Sequence, residues 1–262
     1  MKLLVQSDDY GISRAPAQGC LHGIRNGVVG TTGLFANMPW TEECVDWIRP
    51  ELGKIGFGID LNMPTGPSVL GHEKLPHITK EDGMFFSSKE NHSMDTDENN
   101  HDHLSQYRDE VFAEFKAQIE RYIKLVGHKP DYIHGHAYGT QTTWQSIHDL
   151  AVEYHTPCSM ELGPRVKSAG MGWYAYGDSA MQLKGDLKNY IISDHDHLLE
   201  AEYGYLISHC GYVDNDLVNL SSFNTCRVRD LEALTSDEVK QWAADNNVEL
   251  ITFNDLPESF SL

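Results

Sequence analysis

Short apolar runs of strand length alternate with amphipathic stretches along this chain, and that alternation constrains its fold more than any other feature. Residues 2–6 read as a buried strand. Ser13 is placed to cap a helix that runs to about Asn26, where Gly27 stops it. Pro16 is tolerated near the start of that helix, because its missing N–H would have no intrahelical partner there. A strand at 31–36, a helix at 41–48 ended by Pro50, and a strand at 55–62 follow. Residues 109–126 place Val111, Phe112, Phe115, Ile119, Tyr122, Ile123 and Val126 on one helical stripe. Further on the pattern predicts strands at 131–134, 158–162, 205–209 and 248–253, with helices at 142–154 and 236–246. Residues 163–200 read as mostly irregular with one helix.

Strand followed by helix, several times over, is the signature of parallel β/α packing. No repeat of fixed period and no linker divides the chain, so residues 1–262 are expected to form one domain. The expected architecture is a single (β/α) barrel, distorted or incomplete, with a doubly wound open sheet as the second choice. The stretch 63–105, with Pro64, Pro67, Pro76 and the acidic, amide-rich run 95–102, reads as a long loop. Such a loop serves as a lid, a binding loop or a solvated insertion.

Thirty-nine acidic against 20 basic residues give a net charge of −19. A surface of that sign repels polyphosphate and anionic lipid, which argues against nucleic acid and membrane as partners. A neutral or cationic small substrate suits it, although solubility alone would also explain the charge. The cysteines (20, 44, 158, 210 and 226) are odd in number and show no C-x-x-C spacing. Reduced thiols in a cytoplasm are therefore expected, rather than a disulfide frame or structural zinc. The N-terminal residues do not read as a signal peptide, and no apolar stretch approaches the ~18 residues of a membrane span.

In parallel β/α folds reactive side chains collect at the carboxyl ends of strands. Asp8 and Asp9 lie after the first strand, Asp60 on the third, His134 and His136 after the fourth, and His209 at the end of a late one. In 55–62, Gly58, Asp60 and Asn62 share one face, so Asp60 points inward and needs a partner: a metal, an Arg or a His. His134 and His136 are two apart and share a face, with Gly135 leaving room between them. They suit a metal ligand with a supporting group, or two hydrogen-bonded structural imidazoles. Asp8 and Asp9 diverge on an extended strand, so both reach one site only if the chain bends, which Gly11 permits. One carboxylate could then bind a cation while the other takes a proton from water.

Those residues resemble a known family. Ser7-Asp8-Asp9-Tyr10-Gly11 is similar to the Asp-Asp-Phe-Gly signature of the YdjC-like carbohydrate deacetylases, the ChbG/HpnK group. Gly58-Ile59-Asp60-Leu61-Asn62 stands where that family has Gly-Leu-His-Leu-Asn, and 130–136 resembles its Pro-Asp-His-Ile-Asp-Ser/Gly-His. Residues 208–214 and 229–240 are similar to its closing motifs. The resemblance implies a barrel-like fold and metal-dependent removal of an N-acetyl group from an amino sugar. By position, Asp9, Asp60 and His136 would hold the metal, Asp8 would be the general base, and His209 the acid near the leaving amine.

Two positions depart from the family. Asp60 replaces its metal-binding His, and His134 replaces an Asp, so His134 is a supporting group or an alternative ligand in a compensating exchange. Losing a nitrogen donor shifts the expected ion toward Mg²⁺ or Mn²⁺, with Zn²⁺ still admitted. The same loss supports the alternative, a relative that binds a sugar or sugar phosphate without turnover or runs another metal-assisted hydrolysis. Phe85 and Phe86 would either stack on a sugar ring or latch the long loop. His195 and His197, in Asp194-His-Asp-His, have the look of a metal tract but read better as solvated helix-start residues. A homo-oligomer is compatible with the sequence but not specified by it.

Overall fold

The first strand, β1 (Lys2–Tyr10), begins with the apolar run Leu3-Leu4-Val5 and turns polar from Gln6, and it lies buried at the centre of the sheet. The computed structural model describes residues 1–95, 102–257 and 260. After β1 come α1 (Arg14–Asn26), β2 (Thr31–Leu34), α2 (Thr41–Ile48), β3 (Gly56–Leu61), α3 (Ser88–Met94) and α4 (Arg108–Val126). Next follow β4 (Ile133–Gly135), α5 (Gln141–Tyr154), β5 (Lys167–Ser168), α6 (Ser179–Gln182), α7 (Leu187–Ile192) and β6 (Tyr203–Ser208). The chain continues through α8 (Asn215–Leu220), α9 (Cys226–Thr235), α10 (Asp237–Asp245) and β7 (Glu249–Ile251).

All strand pairs are parallel, in the order β4-β3-β2-β1-β6-β5, with β7 beside the start of β1. β4 and β5 do not pair among the described residues, so the barrel is incomplete. Helices cover the sheet through two large apolar clusters. One gathers α2, α4 and α5 against β3, and the other gathers α7, α9 and α10 against β1 and β6. Phe115 and Tyr122 of α4 are fully buried in the first cluster, each worth about 2–3 kcal/mol of apolar burial.

Several expectations need correction. Residues 158–162 make no strand beyond one bridge between Ile133 and Cys158. The Ser159 hydroxyl donates to the Ile133 carbonyl where a ladder N–H would have done so, and the chain turns into a 3-10 turn at Ser159–Glu161. Residues 163–200 hold β5, α6 and α7, two short helices rather than one. Asp178 and Asp186 cap those helices, which are too short to show a 3.6-residue period. Helix α9 was not expected.

The first half of the long loop is packed. Leu75, Ile78 and Phe85 are buried in the larger cluster, and Glu114 of α4 accepts the backbone N–H groups of Val69 and Leu70. Phe85 is therefore a latch, with Phe86 beside the Lys80 ammonium. Ser88–Met94 form α3, opened by a reciprocal capping box of Ser87 and Glu90. Of the acidic run, residues 96–101 lie outside the described residues. Asp194 caps the turn at Leu198, so the Asp-His-Asp-His stretch is local structure. All five cysteines are buried and unpaired. Among the described residues no helix is long and apolar enough to cross a membrane.

Candidate functional site

The carboxyl ends of β1, β4 and β6 open onto a cleft of about 680 Å³. Asp8, Asp9, His134, His136 and His209 all line it, and so does Arg227 from α9. Asp60 does not line the cleft; it is fully buried.

A break in the strand brings two adjacent aspartates to one cavity. The β1–β2 register shifts between Ser7 and Tyr10, and Asp9 takes a left-handed backbone conformation, φ 67°. The bend expected at Gly11 (φ 88°) thus begins two residues earlier, at Asp9 itself. For a residue with a Cβ that conformation costs about 1–2 kcal/mol, so surrounding contacts must hold it.

Asp60 supplies the main one. Its Oδ2 accepts the Asp9 N–H at 2.7 Å. The carboxyl rests on Gly33, where any Cβ would lie 1.8 Å from Asp60 Oδ1. Burial, with the Asp8 charge adding to it, pushes this carboxyl well above the usual range. One oxygen of the buried Asp60 thus has a backbone N–H as its partner, a kind not considered from sequence, while Oδ1 has no hydrogen-bond partner among the described residues.

The Asp9 side chain has a close neighbour at each oxygen. Arg227 Nη2 donates to Oδ2 at 2.6 Å, with both side chains about 1% exposed. His136 Nδ1 lies 2.7 Å from Oδ1, yet Oδ1 has no hydrogen-bonded partner among the described residues. The short contact lacks hydrogen-bond alignment, as two donors aimed at a common point would. Burial opposes ionisation of Asp9, but the charges of His136 and Arg227 outweigh it and hold the carboxyl well below its usual value.

Asp8 has a different set of neighbours. Gln6 Nε2 donates to Oδ1 at 2.5 Å, and the other face of Gln6 accepts from the Tyr205 hydroxyl at 2.6 Å. His134 Nε2 lies 3.3 Å from Asp8 Oδ2, while its Nδ1 meets the Ser159 hydroxyl at 2.6 Å. Burial raises Asp8, but the His134 charge leaves it lowered overall. His134 in turn is lowered by burial but pushed up to about 9 by Asp8. Strand register sets Asp60 beside His134 across β3 and β4, so the two departures from the family pattern are neighbours.

His209 is the opposite case. Burial, reinforced by the Arg227 and His136 charges, pushes it down to about 4. Its Nδ1 lies 2.9 Å from the Tyr174 hydroxyl, which donates to Asp230 Oδ2 at 2.5 Å. Beside it the cleft wall is aromatic: Phe223 lies edge-on to His209 at 5.1 Å, and Tyr176 leans on Phe223.

Among the described residues no three His, Cys, Asp or Glu side chains cluster as a metal centre. Of the three expected ligands, Asp9 and His136 line the cleft, and Asp60 is buried with its Oδ2 on the Asp9 backbone N–H. Asp9 Oδ1 and His136 Nδ1 do converge, and the unpartnered, buried Oδ1 fits a cation held by two protein donors with water and substrate in its remaining positions. Asp60 and Arg227 then occupy the supporting positions that orient a metal-binding carboxylate.

Sequence reasoning missed Arg227, Asp230, Tyr174 and Gln6. One signal was available: Arg227 and Asp230 stand three apart amid Cys226, Leu231 and Leu234, two charges on the apolar stripe of a helix.

The sequence profile of the family described as YdjC-like protein matches residues 2–245. The chain is 28% identical over 265 residues to carbohydrate deacetylase 2 of Listeria innocua serovar 6a, covering 98% of this chain and 100% of that protein. It is 28% identical over 267 residues to a carbohydrate deacetylase of Clostridium beijerinckii, with 98% and 100% covered. The crystal structure of an Enterococcus faecalis V583 protein named for cellobiose-phosphate cleavage superposes with a TM-score of 0.76 at 23% identity, covering 100% of this chain and 99% of that one.

Proposed function

The chain belongs to the YdjC-like family, and on that premise we propose that it is a carbohydrate deacetylase, a metal-dependent hydrolase that releases acetate from N-acetylated amino sugars. The observation that carries this reading is the meeting of Asp8, Asp9, His136 and His209 on one cleft that also presents an aromatic wall. The relatives named carbohydrate deacetylase support the same chemistry.

The cleft volume accommodates a small oligosaccharide. Tyr176 and Phe223 offer the apolar faces on which the C–H surface of a sugar ring packs. Ser87, Ser88 and Lys89 also line the cleft and supply polar groups for hydroxyls.

Asp9 and His136 are the residues to hold a divalent ion, Mg²⁺ or Mn²⁺ by the hardness of a set with one imidazole. When bound, such an ion polarises the acetamide carbonyl and lowers the pKa of water. The protein's own groups do the rest. Asp8, ionised and steadied by Gln6 and His134, takes a proton from the attacking water. Buried Arg227 keeps Asp9 ionised and fixed in position. His209 carries a proton to the departing amine. The product amine is cationic, and a chain of net charge −19 does not repel it.

The test is acetate release from N-acetylglucosamine oligomers, assayed with and without a chelator. Chelator-sensitive release supports the reading. Stoichiometric metal uptake with no acetate from any N-acetylated sugar would overturn it.

A further inference from the structure

Tyr174, Trp173 and Asp230 lie behind His209, outside the chemistry assigned above, and their arrangement constrains where the His209 proton sits. We infer that Tyr174 and Asp230 fix His209 as the neutral imidazole protonated on Nδ1, so that Nε2 meets the cleft as a lone pair and His209 must take up a proton before it can give one.

The argument counts protons. Asp230 is buried and accepts three N–H or O–H groups: the His209 backbone N–H at 2.8 Å, the Trp173 indole N–H at 3.2 Å, and the Tyr174 hydroxyl at 2.5 Å. No Lys or Arg forms a salt bridge with it among the described residues. A phenol carries one proton, and here the carboxylate takes it. The phenol oxygen then has only lone pairs for its second neighbour, His209 Nδ1 at 2.9 Å, so Nδ1 must be the donor. A neutral ring with its proton on Nδ1 has none on Nε2. His209 lines the cleft, and Nε2 is bonded to no side chain among the described residues. Burial, and Arg227 held nearby on Asp9, disfavour a positive charge on the ring.

The mechanistic consequence rests on the deacetylase reading; the tautomer does not. In that reaction the proton that leaves with the amine is one gained during turnover. The water O–H breaks as its oxygen bonds the acetamide carbon, and that proton passes by way of Asp8 to Nε2. The C–N bond then breaks, its electron pair stays on nitrogen, and nitrogen takes the proton from Nε2 as the carbonyl re-forms. Tyr174 and Asp230 are positioning residues, since neither lines the cleft.

The experiment is long-range ¹H–¹⁵N correlation of the full-length protein labelled at histidine, with the His209 signals assigned through their loss in His209→Gln. At pH 7 the expected pattern is a protonated Nδ1 and an unprotonated Nε2. An Nε2–H tautomer or an imidazolium at that pH would overturn the inference, whether or not acetate release is ever detected. Tyr174→Phe keeps the ring that packs on Phe223 and Trp173, and it should move His209 toward the other tautomer. With substrate it should lower kcat about tenfold or more while KM stays within about twofold. A Tyr174→Phe protein with both the wild-type tautomer and the wild-type kcat would also refute it.

Discussion

Oδ2 of Asp60 lies 2.7 Å from the backbone nitrogen of Asp9, and that single bond restrains a residue in the left-handed region at the mouth of the sheet. Asp60 is therefore a brace for Asp9. Asp60→Ala leaves a buried N–H without an acceptor beside a strained backbone, and should cost about 2–4 kcal/mol in urea unfolding. Asp60→Asn keeps an acceptor of the same shape and should cost about 1 kcal/mol. Manganese affinity is the discriminating measurement: a brace predicts that Asp60→Asn stays within about threefold of wild type, whereas a direct ligand predicts loss of binding.

Arg227 and Asp9 form a buried ion pair linking α9 to the end of β1. Removing one partner strands the other charge away from water, at a cost of about 3–5 kcal/mol. Arg227→Met should show that loss in thermal unfolding. Arg227→Met combined with Asp9→Asn should recover a large part of it, because no charge is then left alone. Additive single-variant costs would show that the two side chains are not energetically coupled.

The parallel β/α order and the convergence of Asp8, Asp9, His134, His136 and His209 were legible because strand ends and their polar residues are local in sequence. The metal set was less legible. Side-chain alternation put Asp60 on the inward face, which is correct, but could not tell a metal from a backbone N–H as its partner. That distinction depends on Asp9 leaving the strand conformation, a one-residue event with no periodicity. Arg227 was hidden for another reason: α9 shows only a weak apolar stripe, since its inward face carries Arg227 and Asp230 as well as leucines. Short helices such as α6 and α7 announce themselves only by an Asp at the cap.

His134 gives a pH dependence with a definite sign. Its folded-state value is raised from 6.5 to about 9 despite burial, chiefly by Asp8. The protonated form is thus favoured by folding. The contribution is full below about pH 6.5 and is lost as pH rises through about 9, up to about 3 kcal/mol in all. Wild-type melting temperature should therefore fall between those limits, and His134→Gln should flatten that part of the profile. An unchanged alkaline limb in the variant would show that another group is responsible.

Tyr176 stands 65% exposed on the cleft wall with its ring against Phe223. An aromatic ring left open to water at the mouth of a carbohydrate cleft should act on binding and not on the reacting atoms. Tyr176→Ala should raise KM for acetylated chito-oligomers about tenfold and leave kcat nearly unchanged. Protein stability should barely move, because little of the side chain is buried. A fall in kcat at constant KM would instead locate Tyr176 close to the scissile amide.

Metal dependence follows from how Asp9 is shared. Its Oδ2 is committed to Arg227, which leaves Oδ1 and a single imidazole from His136 for an ion. A neighbouring guanidinium repels a divalent cation, and the absence of a second imidazole removes the advantage of softer ions. Binding should accordingly be weak, with Mn²⁺ or Mg²⁺ held at micromolar or poorer affinity by calorimetry and zinc giving no higher activity than manganese. Asp9→Asn and His136→Ala should each abolish uptake, and chelation should lower acetate release by about 100-fold or more. Tight zinc binding that survives Asp9→Asn would relocate the ion to other donors in the cleft and remove Asp9 from the catalytic centre.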